Sequence, residues 1–117
     1  MLIVVQDSQV VGETLATLFS VINQGAVSML VIIKNAGVNT LNYRFQENTG
    51  SAWVDLGSSG SDFYNTLQED ESKSIKVTSS YPQVRMVGNA SGGAWLEFSV
   101  MREADRASGG SLPILNL

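Results

Sequence analysis

The chain contains neither cysteine nor histidine. Without cysteine there are no disulfides, no thiolate nucleophile and no cysteine-ligated zinc site. Without histidine the commonest general base and the commonest metal ligand are both missing. Serine–histidine and cysteine–histidine pairs are therefore excluded. Charge is also scarce, at 15% of residues, and its balance is acidic, with a net charge of −4 and a pI near 4.5. A non-specific nucleic-acid binder needs clustered Lys and Arg to displace counterions from phosphates. The seven basic residues here are scattered from Lys34 to Arg106 without a run, so nucleic acid is not an expected partner. Long apolar stretches are absent as well. The longest lies around Met29–Ile33, far below the ~20 residues that span a bilayer, so no membrane partner is expected. The residues after Met1 form too short an apolar core for a signal peptide and carry no basic flank, which leads to the expectation of a chain made in a cytoplasm and not exported by the usual route.

What is present is a series of short β-branched and aromatic runs separated by Gly, Asn and Ser. The 117 residues suit one domain, which at this size buries roughly two-thirds of its unfolded surface. Residues 2–6 are a candidate first strand. Residues 14–23 place Leu15, Leu18, Phe19 and Ile22 at helical spacing. Their Thr, Ser and Val content and the Asn23-Gln24-Gly25 turn signal nevertheless favour a strand. Residues 27–35 are almost entirely apolar, as a central strand buried on both faces is. In residues 40–48 Leu41, Tyr43 and Phe45 alternate with Asn42, Arg44 and Gln46, a period of two that marks a half-wet strand. These two segments are expected to form a hairpin.

Thr49-Gly50-Ser51 leads into residues 52–56, and a Gly/Ser loop follows at 57–61. Residues 62–72 start irregular or extended and end in the turn Glu69-Asp70-Glu71. Residues 73–79 alternate again, and Tyr81-Pro82 marks a corner because proline lacks a donor and holds its predecessor extended. Residues 83–90 and 94–102 flank Ser91-Gly92-Gly93 as a second expected hairpin. About seven to nine such strands fold best as two packed layers. The expected fold is all-β, an antiparallel β-sandwich of immunoglobulin-like or jelly-roll-like type spanning residues 1–103, with a closed barrel as the alternative. Residues 104–117 are expected to be an extended C-terminal arm. There Leu112, Ile114, Leu115 and Leu117 follow a Gly/Ser linker, and each contributes roughly 1.5–3 kcal/mol if a neighbour buries it. The arm is expected to dock by strand addition, with Leu2, Ile3 and Val4 at the other end as further contacts.

The remaining chemistry-bearing patterns are weak. Lys73-Ser74 is a serine–lysine neighbour pair on a plain strand, and no S-x-x-K spacing occurs. Glu97, between Trp95 and Ser99, is the best placed of the carboxylates that a glycosidase would need in pairs; an alternating solvent-facing strand explains it more simply. Glu69-Asp70-Glu71 lacks calcium-loop spacing and reads as a solvated turn. The 57–61 loop has no G-K-[ST] after it and is not a phosphate cradle. Arg85 is either a paired internal charge or a subunit contact. Trp53 and Trp95, with Tyr64, suggest a sugar-stacking platform, against the commoner role of aromatics in cores and interfaces. No catalytic residue, metal ligand or cofactor is expected.

Three fragments carry a resemblance. Lys34-Asn35-x-Gly37-x-Asn39-x-Leu41-x-Tyr43-Arg44, then Gly50-x-x-Trp53, then Tyr81-Pro82-x-Val84-Arg85 together resemble a loose pattern of small structural proteins of tailed-bacteriophage virions, over residues 27–102. The resemblance implies a β-sandwich that assembles on a capsid or tail and brings no catalytic residues with it. The expected role is a non-enzymatic capsid decoration (cement) protein located in the virion. Its expected partners are the major capsid protein or other virion subunits and its own copies, a trimer among the candidate states. A tail or head–tail connector component and a carbohydrate-binding or adhesion module are the alternatives.

Overall fold

A computed structural model describes residues 2–22, 28–79 and 81–102. All the regular structure among them is β. Nine strands run in order: β1 (Leu2–Val11), β2 (Ala16–Ile22), β3 (Met29–Asn35), β4 (Leu41–Asn48), β5 (Trp53–Asp55), β6 (Tyr64–Leu67), β7 (Ser72–Val77), β8 (Gln83–Asn89) and β9 (Ala94–Arg102). They form two antiparallel sheets. One has the order β1-β9-β3-β7; the other has the order β2-β8-β4-β5, with β6 also pairing β4. Neither sheet closes on itself, so the architecture is the sandwich and not the barrel. The first and last described strands lie side by side and, apart from β4, β5 and β6, which share one sheet, successive strands alternate between layers, which is jelly-roll wiring.

That wiring corrects both expected hairpins. β3 and β4 lie in different sheets, and so do β8 and β9. Each turn between them is an arch that carries the chain from one layer to the other. The β3–β4 arch is built on Asn35, which is fully buried. Its side-chain amide donates to the carbonyls of Asn39 (2.7 Å) and Leu67 (3.0 Å), while its side-chain oxygen accepts from the Gly37 N–H (2.9 Å). The Asn35 backbone also bonds the Glu71 carbonyl and the Asp70 N–H. One buried side chain thus ties the β3–β4 arch to the β6–β7 turn and satisfies backbone groups that would otherwise be orphaned. Gly37 is required by close approach: a Cβ there would lie 2.9 Å from the Trp95 nitrogen. In the β8–β9 arch Gly92 and Gly93 take φ of 81° and 83°, left-handed values open to glycine, and Asn39 donates to the Gly93 carbonyl. The two arches are therefore fastened to each other. The hairpin that does form is β4–β5, with Asn48 opposite Trp53 and the Thr49 N–H on the Ala52 carbonyl.

The core lies between the layers. Tyr43, Phe45, Met29, Ile33, Leu41, Leu67, Met86 and Leu96 are its largest buried side chains. Phe19 from one sheet stacks on Phe98 from the other, with ring centroids 4.3 Å apart, and meets Phe45 edge-on. Within segment 14–23, Ala16–Ile22 form the strand β2, as favoured, and the helix-like spacing has a local cause. A bulge between Thr17 and Phe19 breaks the alternation, so that Leu18 and Phe19 both contribute to the interior while Leu15 and Ile22 stay exposed. β3 is an inner strand of its sheet, but it is fully buried on one face alone; Leu30 and Ile32 on the other face are half-buried and Lys34 is exposed.

Candidate functional site

Two outward faces carry the chemistry that the interior leaves over. The outer face of the first sheet is set by register. Gln6, Ser8 and Val10 of β1 lie opposite Ser99, Glu97 and Trp95 of β9, and Ile32 and Lys34 of β3 lie opposite Ser99 and Glu97 on the other side. A shallow concavity of about 580 Å³ runs over Gln6, Ser8, Ile32, Lys34, Ser72, Glu97 and Ser99. At its end Val10 and Trp95 form an apolar cross-strand pair, 62% and 41% exposed. Such pairs add stability when covered; here the sandwich leaves this one uncovered. Glu97 is exposed on this face, as a solvent-facing strand residue should be.

The outer face of the second sheet brings together the last residues of the three sequence fragments. Arg44 ends the first, Trp53 the second and Arg85 the third. The Arg85 guanidinium lies 4.2 Å from the Trp53 ring centroid. Its Nε donates to Gln46 Oε1 and its terminal nitrogen to Thr17 Oγ1, both at 3.0 Å. Gln46 in turn donates to Asp55 (2.8 Å), Asp55 pairs loosely with Arg44 at 3.6 Å, and Arg44 sits over the Tyr64 ring at 5.1 Å. Burial lowers the Arg85 pKa from its ordinary value, yet a guanidinium stays charged at any working pH. Arg85 is thus a surface cation on an aromatic face, the packing that suits arginine, and not an internal ion pair. Two hollows of about 230 and 200 Å³ flank Leu15, one bounded by Thr17, Gln46, Arg85 and Val87, the other by Asn42, Arg44, Tyr64 and Asn89.

The two tryptophans therefore do not form one platform. Trp95 belongs to the outer face of one sheet and Trp53 to the outer face of the other. The spacing of alternating strands cannot reveal this, because both residues simply read as apolar outliers. Lys73 lies on β7, where its ammonium donates to the Thr66 carbonyl and sits over the Tyr43 ring. Glu69, Asp70 and Glu71 sit in the β6–β7 turn, where the Gln68 N–H donates to Glu71 Oε1; among the described residues no cluster of acidic side chains could hold a metal ion. Leu2, Ile3 and Val4 lie on β1, with their side chains outside the described residues. Leu112, Ile114, Leu115 and Leu117, and the whole 104–117 segment, also lie outside them.

No family model matches the chain, and no curated protein does. Among solved structures, one described as the crystal structure of PirA superposes with a TM-score of 0.59 at 14% identity, over 84% of this chain and 93% of that chain. At that identity the likeness concerns the fold.

Proposed function

We propose that this chain is a non-enzymatic docking subunit that decorates a virion capsid, held there by the outer face of its first sheet and by its apolar ends. The observation that carries the proposal is the uncovered Val10–Trp95 pair beside the long concavity of that face. A domain with this core gains nothing from leaving a tryptophan and a valine side by side in water, whereas a partner surface gains their burial. Leu112, Ile114, Leu115 and Leu117 supply a second contact that acts by effective concentration once the body has docked. Jelly-roll sandwiches serve both capsid and lectin domains, so the wiring is compatible with the role without selecting it.

The test combines light scattering on the purified chain with sedimentation of the chain mixed with empty shells of the phage that encodes it. Saturable co-sedimentation is expected, and loss of affinity on removal of residues 110–117 with the fold retained. A chain that stays in the supernatant at every concentration contradicts the proposal. Imaging of the particle distinguishes a capsid position from a tail or connector position, which the same geometry serves.

A glycan-binding role is the second reading. It is favoured by the row of aromatic and guanidinium groups on the other face, to which Trp53 and Tyr64 belong and Trp95 does not.

A further inference from the structure

We infer that the outer face of the second sheet is a binding site for a uronic-acid polysaccharide, with Arg44 and Arg85 each receiving one sugar carboxylate. This deepens the glycan-binding reading and rests on it; it is independent of the docking role of the opposite face.

The first ground is the state of the two cations. Arg85 has a neutral amide and a hydroxyl as its hydrogen-bond partners, and among the described residues no carboxylate lies within ion-pair distance of it. Those two bonds use two of its five N–H donors. The remaining ones lie on the terminal nitrogens, over the Trp53 ring, and a carboxylate that bridges those nitrogens is the ligand a guanidinium receives best. Arg44 has Asp55 at 3.6 Å, beyond good hydrogen-bond length. Two guanidinium groups thus face a single carboxylate, on a chain whose overall charge is −4.

The second ground is spacing. Arg85 lies opposite Gln46, two residues along β4 from Arg44. The arginines are diagonal neighbours, their backbone positions about 7–8 Å apart across the ladder. Each borders its own hollow, with exposed Leu15 shared between them. A ligand with carboxylates repeated along a chain of rings fits this arrangement; a single terminal carboxylate leaves one arginine unmatched.

The third ground is what surrounds the charges. Exposed Leu15 offers apolar surface for the C–H face of a sugar ring, and Asn42, Asn89 and Thr17 offer amide and hydroxyl groups for sugar hydroxyls. The Trp53 face that a neutral sugar would stack on is already covered by Arg85, so the site is organised around charge rather than around a bare aromatic platform.

The experiment is calorimetric titration of the full chain with tetragalacturonate, with its fully methyl-esterified form, with a sialyl trisaccharide and with tetraglutamate. Tetragalacturonate is expected to bind at least about tenfold tighter than the other three. Arg85→Gln and the half-exposed Arg44→Gln are each expected to lose about tenfold, with an unchanged circular-dichroism spectrum; the second variant guards against misfolding of the first. Equal binding of the methyl ester overturns the carboxylate assignment while leaving a glycan site standing. Preference for the sialyl probe overturns the two-carboxylate assignment. Equal binding of tetraglutamate shows that charge alone suffices and overturns the glycan class. Binding of no probe overturns the inference, and a blank glycan array alongside it overturns the glycan reading as well.

Discussion

Arg85 and Trp53, from strands that are not hydrogen-bonded to each other, meet with the guanidinium 4.2 Å from the indole centroid. β4 lies between them: Gln46 faces Arg85 across one ladder and Asn48 faces Trp53 across the other. The contact therefore locks the short edge strand β5 onto β8. Trp53→Leu is expected to cost about 0.5–2 kcal/mol and to loosen β5. Urea unfolding measures the cost. A double-mutant cycle with Arg85→Gln should return most of it as coupling between the two side chains.

Asn35→Ala removes the clasp between two turns. It leaves the Gly37 N–H and two carbonyls without their partner in a buried corner. The expected loss is about 1–3 kcal/mol, read as a lower urea midpoint with an unchanged slope. Asn35→Asp should be worse than its small change in shape suggests, because a carboxylate cannot donate to the Asn39 and Leu67 carbonyls.

The interior of the sandwich is tested at Phe45, which is fully buried and meets both Phe19 and Tyr43 of its own sheet edge-on. Phe45→Ala is expected to cost about 3–5 kcal/mol, a large share of the ~5–15 kcal/mol typical of a domain. Calorimetric melting checks it. Phe45→Leu should lose much less, since it refills most of the volume.

Tyr43 gives the fold an alkaline limit. Burial, then the nearby negative charges of Asp62 and Glu71, push its pKa up to about 12, while in the unfolded chain it is near 10. The folded state therefore retains a proton that the unfolded chain releases. Stability from this group is complete below pH 10 and is lost as pH rises from 10 to about 12. Unfolding midpoints measured across that window should fall more steeply for the natural chain than for Tyr43→Phe. That variant gives up the 2.8 Å bond to the Asp62 carbonyl, at about 0.5–1.5 kcal/mol at neutral pH. Equal slopes would show that the Tyr43 hydroxyl is not held neutral by the fold.

The layers were legible in the sequence and their wiring was not. Alternation at Leu41, Tyr43 and Phe45 identifies a strand and its buried face, because a half-wet sheet imposes a period of two wherever it occurs. A Gly/Asn turn between two such runs serves a hairpin and an arch equally well, so residues 36–39 and 91–93 misdirected the pairing. What distinguishes the arch is Asn35, whose partners Asn39 and Leu67 are fixed by tertiary structure. The bulge in β2 is similarly silent: it places Leu18 and Phe19 side by side in the core and imitates a helical stripe. The Arg44–Trp53–Arg85 cluster was half visible. Its members end the three fragments of the phage-like pattern, but their convergence on one face follows from the β8-β4-β5 order alone.

The proposed docking face is tested most directly at Trp95. The natural chain and Trp95→Asp, matched for circular dichroism and melting temperature, are sedimented with empty shells over a range of concentrations. An exposed position tolerates the charge, so the variant should fold; facing a partner, the same charge is desolvated without a counterion and binding should weaken at least about tenfold. Co-sedimentation of both chains with the same affinity would contradict docking through this face.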